Sequence, residues 1–281
     1  MRKVNVFKIS DIVANLCRLC CYILPDDVAA AISRSLHSET SDQGRDILEQ
    51  LLANARIAAQ GAYPLCQDTG LMVVFIDLGQ EVHLEGGDLY AAVNAGVARA
   101  SREDYLRASV VDEPLFERKN TGDNTPAIVH LRLTPGEQIK IRVAPKGAGS
   151  ENKGLVRLLP PSAGIDGVKN AVLEAVRIAG PDACPPLVVG VGIGGNMETA
   201  ALYAKQAAVR DVESMNPDPR YAALELELFE LVNALGIGPQ GLGGKSTALK
   251  VNIEWGPTHI ASLPVAVNLN CHCARHWEAV I

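Results

Sequence analysis

The chain has 281 residues, room for one large unit or two of about 150 residues each. Hydrophobic residues at 48% against 21% charged exclude a mainly disordered chain, and aromatics at only 4% leave the core to Leu, Val, Ile and Ala. With 32 acidic and 26 basic residues, a net charge of −6 and no block of Lys and Arg, a nucleic-acid or anionic-membrane surface is disfavoured.

Ile12, Leu16, Leu19 and Ile23 recur at helical spacing beside Val13, Cys17, Cys20 and Leu24. They predict a helix capped by Ser10 or Asp11 and ended at Pro25. A shorter helix is expected over 26–36. A third is capped by Thr40 or Ser41 and buries Ile47, Leu48, Leu51, Leu52, Ala55 and Ala58. The period then changes. Residues 71–78 and 128–133 are strand-like, 138–144 alternates strictly through Ile139, Ile141 and Val143, and 187–191 is a short buried strand. Helices are expected over 88–102, 164–178, 197–210 and 221–235, and late strands over 248–255 and 264–269. The fold class is therefore mixed α/β. A helical region at 1–60 precedes an α/β region at 61–281, either as two parts or as one continuous domain. No apolar run reaches the roughly 18–20 residues of a membrane helix. Residues 16–24 are broken by Arg18 and followed by Pro25-Asp26-Asp27 rather than a small-residue cleavage site.

Seven cysteines, an odd number in a chain of this length, argue against a disulfide framework and for reduced thiols in a cytoplasmic protein. Cys17 and Cys20 lie on the apolar stripe of the first helix, and with Cys21 they read as small core hydrophobes. Cys66 differs. It sits in the loop Pro64-Leu65-Cys66-Gln67-Asp68-Thr69-Gly70, between an amide, a carboxylate and two loop-forming residues. Cys184, in Pro181-Asp182-Ala183-Cys184-Pro185-Pro186, and Cys271, after an apolar run, occupy similar strand-edge positions. These three are too far apart in sequence for a short zinc knuckle and can converge only in three dimensions.

Two glycine-rich stretches imitate nucleotide motifs. Gly190-Val191-Gly192-Ile193-Gly194-Gly195 matches G-x-G-x-x-G, but no second strand presents an acid about 20 residues on. A tight turn packing a strand against a helix is the better reading. Gly241-Leu242-Gly243-Gly244-Lys245-Ser246-Thr247 ends like a P-loop, but the first glycine of that motif falls on Pro239.

Taken together, several motifs resemble one family, the class I iron–sulfur fumarate hydratases, and specifically the α subunit of their two-subunit form. The carriers are residues 64–70, Asn120-Thr121-Gly122-Asp123-Asn124-Thr125-Pro126, Pro145-Lys146-Gly147-Ala148-Gly149-Ser150-Glu151-Asn152, and Cys184-Pro185-Pro186 running into Gly190–Gly195. Gly236-Ile237-Gly238-Pro239-Gln240-Gly241-Leu242-Gly243-Gly244 and Cys271 with Arg275 complete them, in order, from about residue 40 onward. The family includes L-tartrate dehydratase α subunits, and residues 146–152 look like the fumarase branch.

The resemblance implies a 4Fe–4S cluster on three cysteines, Cys66, Cys184 and Cys271, leaving one iron open as a Lewis acid. Spacing alone does not separate Cys271 from Cys273, since both would face one way on an extended segment. The position before Arg275 favours Cys271. The implied reaction is the reversible hydration of fumarate to L-malate, a tricarboxylic acid cycle step. Asp68 is the acid or base serving the hydroxyl, and His259 is its relay partner unless it is a structural histidine. Arg107, Gln67 and the backbone at Gly149 are the expected substrate contacts, with Lys146 and Asn152 supporting their loop. His272 and His276 read as structural or surface groups. In single-chain members a C-terminal domain carries the carbon-proton base, whereas this sequence ends at Ile281. A separate β subunit is therefore expected to complete the site, in a dimer or heterotetramer. The alternatives are a tartrate or mesaconate hydro-lyase α subunit, a cluster-binding regulatory module and, more distantly, a nucleotide-binding enzyme.

Overall fold

A computed structural model of the chain describes residues 1–61 and 63–281. Strand β1 (Arg2–Asn5) leads into helices α1 (Val6–Tyr22), α2 (Asp26–Ser38) and α3 (Asp42–Ala59). Strands β2 (Leu71–Gly79) and β3 (Val82–Glu85), helix α4 (Leu89–Glu103) and strands β4 (Ile128–Thr134) and β5 (Ile139–Lys146) follow. Then come the short helix α5 (Ala148–Glu151), β6 (Leu155–Leu159), α6 (Gly164–Ala179), β7 (Leu187–Gly195), α7 (Met197–Ala208) and α8 (Pro219–Asn233). Strands β8 (Ala248–Thr258), β9 (Leu263–Asn270) and β10 (Trp277–Val280) close the chain. The expected mixed α/β class holds. Among the described residues, no helix is long and apolar enough to cross a membrane.

The chain folds as two units, each assembled from separate stretches of the sequence. The first comprises Met1–Pro25, Ile57–Ala148 and Arg275–Ile281, and the second Asp26–Arg56 and Gly149–Ala274.

In the first unit a four-stranded sheet runs in the order β10-β5-β2-β4. Only the β2–β4 pair is parallel. The alternation at Ile139, Ile141 and Val143 puts these side chains on the face covered by α1 and α4, where they are fully buried with Val74, Ile76, Val13, Cys17 and Val97. The first helix begins earlier than its apolar stripe suggested. Asn5 caps it by accepting the Phe7 N–H at 2.9 Å, so Ser10 lies inside the helix, buried, rather than at its cap. Ser41 does cap α3, accepting the Gly44 N–H at 3.2 Å.

In the second unit the sheet order is β6-β9-β7-β8, with β7 and β8 parallel and β9 antiparallel to both β6 and β7. Strand β7 is buried along nearly its whole length, as expected of a strand covered on both faces. It runs through Gly195, so the glycine-rich stretch is strand rather than turn. The glycines still serve to pack the strand closely against a helix. A Cβ on Gly192 would lie 2.0 Å from the Ala200 carbonyl oxygen and 2.4 Å from the Ala204 nitrogen, both backbone atoms of α7. Gly192→Ala is therefore expected to destabilise the protein by about 3 kcal/mol or more, since the helix must move outward to relieve the overlap. Chemical denaturation of the variant measures this, and a change below about 1 kcal/mol would refute close helix–strand approach as the reason for glycine here.

Candidate active site

Residues 63–70, leading into β2, carry Cys66, Gln67 and Asp68 in the first unit. At their end Gly70 has φ +72°, and a Cβ there would lie 2.5 Å from the Lys146 carbonyl, so glycine alone lets the chain turn onto β5. That turn fixes Asp68. The Gly70 N–H donates to Asp68 Oδ1 at 3.0 Å and the Ala148 N–H to Oδ2 at 2.9 Å, while Arg275 Nη2 donates to the Asp68 carbonyl at 2.9 Å. Each carboxylate oxygen retains further acceptor capacity, so the group is held in place yet able to serve a reacting proton.

Cys66 is partly exposed, and its Sγ donates to Gln67 Oε1 at 3.7 Å. Cys66, Gln67, Thr69, Tyr105 and Arg107 are among the residues lining an open cleft of about 260 Å³. The Arg107 side chain is exposed, but its backbone is tightly held. Its carbonyl accepts from Thr69 Oγ1 at 2.6 Å and from Asn124 Nδ2 at 3.1 Å. Asn124 is fully buried and also joins Ser101 Oγ and the Ser109 N–H, so this motif residue positions the arginine-bearing segment. The thiols of α1 have a different character. Cys17, Cys20 and Cys21 are buried in the core, as expected, and burial pushes all three upward, Cys21 to about 11 even with Arg275 pulling it down. At neutral pH they remain thiols.

In the second unit Cys184 ends a 3₁₀ turn with φ 54° and ψ 64°. Its carbonyl accepts the His272 N–H at 3.1 Å, which sets Cys271 beside it, just beyond the Val188–Asn270 pairing of β7 and β9. Gly149 belongs to the same neighbourhood. A Cβ on it would lie 3.2 Å from the Asp182 carbonyl, and Lys153 pairs with the Asp182 carboxylate at 2.7 Å. His259 does not join them. It follows Thr258, which pairs with Gly195 at the other end of β7, on the order of 20 Å away at 3.3 Å per strand residue. It is exposed, and its Nδ1 accepts the Ala261 N–H at 3.1 Å.

Cys271 and Cys273 do not face the same way. The segment after Asn270 is irregular rather than extended, which leaves Cys271 partly exposed while Cys273 is buried with its Sγ 3.5 Å from His272 Nδ1. The P-loop-like stretch is explained by an internal anion. The buried Glu39 carboxylate accepts the Lys245 and Ser246 N–H groups, each at 3.0 Å, together with those of Thr40 and Ser41. Burial alone would raise the pKa of Glu39, but these donors outweigh it and hold the carboxyl below its ordinary range. The backbone groups that would cradle a phosphate are thus already engaged. Within either unit, among the described residues, no three His, Cys, Asp or Glu side chains form a ready-made metal cage.

The family model for fumarate hydratase (fumerase) matches residues 10–280. The chain belongs to the fumarate hydratase family. A Methanocaldococcus jannaschii protein provisionally named as an L(+)-tartrate dehydratase subunit alpha is 41% identical over 272 residues, covering 95% of each chain. The L(+)-tartrate dehydratase alpha subunit of Escherichia coli O157:H7 is 36% identical over 280 residues, covering 98% of this chain and 91% of its own. The corresponding subunit of Escherichia coli K12 is 35% identical over the same length. Membership of the fumarate hydratase family makes this chain a component of a hydro-lyase, and the nucleotide-binding alternative falls away.

Several residues that hold these loops in place in this fumarate hydratase family chain carry no sequence signal of that role. Asn124 and Gln240 lay inside recognised motifs, but only their hydrogen bonds show what they hold. Glu39 had no local signal, because its partners lie 206 and 207 positions downstream.

Proposed function

We propose that this chain is the α subunit of an iron–sulfur hydro-lyase that interconverts fumarate and L-malate together with a separate β subunit. The observation that carries the reading is which thiols reach solvent. Of seven cysteines, Cys66, Cys184 and Cys271 are partly exposed, while Cys17, Cys20, Cys21 and Cys273 are buried. Three soft thiolate donors suit a 4Fe–4S cluster with one iron lacking a protein ligand, and Cys66, Cys184 and Cys271 are the residues that would hold it. When bound, the cluster supplies Lewis-acid polarisation of a substrate oxygen.

The remaining steps fall to the chain's own side chains. Asp68 gives a proton to the departing hydroxyl in dehydration and takes one from the attacking water in hydration, at an oxygen whose position two backbone donors fix. The Arg107 guanidinium presents two parallel N–H groups to a substrate carboxylate, with the Gln67 amide and the Gly149 N–H as further donors. His259, implied as a relay partner by the resemblance, lies on the order of 20 Å along β7 from Cys184 and Cys271 and is given no part in these steps. The alpha-subunit names of the relatives support a β partner, which supplies the base for the carbon-bound proton.

The same names favour a second reading, dehydration of L-tartrate, which shares the two carboxylates and the 2-hydroxyl. Co-purification with the β subunit under anaerobic conditions, followed by assays on L-malate, fumarate, L-tartrate and mesaconate, separates the two. Preference for L-malate and fumarate is expected, with little activity from this chain alone. A tenfold higher kcat/KM for tartrate would overturn the fumarate reading, and strong activity without the partner would overturn the subunit reading.

A further inference from the structure

We propose that Gln240 is a positioning residue that sets the direction of the Cys184 thiolate. The inference rests on the reading of Cys184 as a cluster ligand. In Cys184-Pro185-Pro186 neither proline has an N–H, so between Cys184 and Leu187 the backbone can be held only through its carbonyls. The Pro185 carbonyl receives two donors from one residue: the Gln240 backbone N–H and the Gln240 Nε2, each at 2.8 Å. One residue can aim both groups at one oxygen here because Gln240 adopts φ 52° and ψ 20°, a left-handed conformation that residues with a side chain seldom take.

The loop carrying Gln240 is itself anchored. The Gly243 N–H donates to the Ile237 carbonyl at 2.8 Å, and the Gly238 N–H reaches Thr247 Oγ1 at 3.2 Å. Beyond them, Glu39 clamps the Lys245 and Ser246 N–H groups. On the other side of the cysteine, the His272 N–H holds the Cys184 carbonyl at 3.1 Å. Both carbonyls flanking the Cys184–Pro185 bond are thereby restrained, one by His272 and one by Gln240. Cys184 is itself left-handed, and restraint on both sides keeps its Cα–Cβ bond aimed in one direction before any metal arrives, so that Sγ can reach only the few positions its staggered rotamers allow. Groups of this kind, which orient a metal-ligating side chain without touching the metal, tune affinity and electronic properties.

The test uses the complete enzyme with its partner, loaded with iron and sulfide under anaerobic conditions. Gln240→Glu keeps the length but replaces the Nε2 donor with an acceptor facing the Pro185 carbonyl. Gln240→Gly removes the side chain while easing the backbone. Cys184→Ser is the control for the underlying assignment. Both Gln240 variants are expected to load iron and melt near the wild-type temperature, to release iron to a chelator about tenfold faster, and to show an altered electron paramagnetic resonance line after mild oxidation. Cys184→Ser is expected to hold no stable cluster. Wild-type iron release and an unchanged line shape in both Gln240 variants, with the cluster lost in Cys184→Ser, would overturn the positioning role alone. A drop in Tm large enough to account for the iron loss in both variants would overturn it too, by assigning the bond to folding. Full cluster retention in Cys184→Ser would overturn the ligand assignment, and the positioning role with it.

Discussion

Asp68→Asn is expected to lower kcat by roughly 10²- to 10⁴-fold, the range a positioned general acid or base contributes. The replacement is nearly isosteric and removes the ability to exchange a proton. KM should stay within about threefold, because substrate carboxylates are assigned to Arg107, Gln67 and Gly149 rather than to Asp68. A structural cost accompanies the change. The carboxylate accepts from two backbone donors, Gly70 N–H and Ala148 N–H, and an amide can accept on only one of its two atoms. The NH₂ of the substituted side chain then faces an N–H, at a cost of about 1–3 kcal/mol. This shows as a lower Tm, while the kinetic loss is measured at a temperature where the variant is fully folded. A folded Asp68→Asn enzyme with kcat within about threefold of wild type would remove Asp68 from the chemistry. The split between kcat and KM matters because an aspartate that only shapes its loop would move both through the position of Arg107, whose carbonyl is tied to the same loop by Thr69.

Much of the frame was legible because it is written in periodicity. The α1 stripe and the alternation in β5 each specify one buried face, the unbroken apolar run of β7 specifies burial on both, and each appears where expected. Strands β1, β3, β6 and β10 were not anticipated. Four or five residues are too few to establish a period of two, and their pairing depends on partners distant in sequence. The cap of α1 was placed late because the apolar pattern was counted from Ile12, while Val6 and Ile9 extend it back to Asn5. Residue types and motifs pointed to Cys66, Asp68 and Cys184, and the family resemblance alone to Arg107, and the structure places each on a loop or turn held by backbone hydrogen bonds. The neighbourhood of His259 was not legible in the same way. Its position follows from the parallel register of β7 and β8, a pairing that no local pattern announces. Glu39 shows the same limit, since the turn it completes is built from residues on the far side of the sequence.

Cys271→Ser and Cys273→Ser are expected to separate completely, although the two residues are only two positions apart. Cys271 is partly exposed beside the restrained Cys184 turn, while Cys273 is buried with its Sγ against His272 Nδ1. On the proposed assignment of three thiolate ligands, replacing one with a hard, poorly ionised hydroxyl should cost more in iron affinity than the roughly 10- to 100-fold typical of outer groups, so anaerobic Cys271→Ser enzyme should lack both the cluster absorbance and activity. Cys273→Ser instead puts a more strongly solvated group into a buried position, which costs about 1–3 kcal/mol and lowers Tm. Its iron content should match wild type, because the sulfur it removes faces the protein interior. Iron per chain and thermal melting, measured side by side on the same preparations, read the two effects independently. If Cys273→Ser loses iron and Cys271→Ser retains it, the ligand belongs at 273, and the segment after Asn270 must rearrange when the cluster binds.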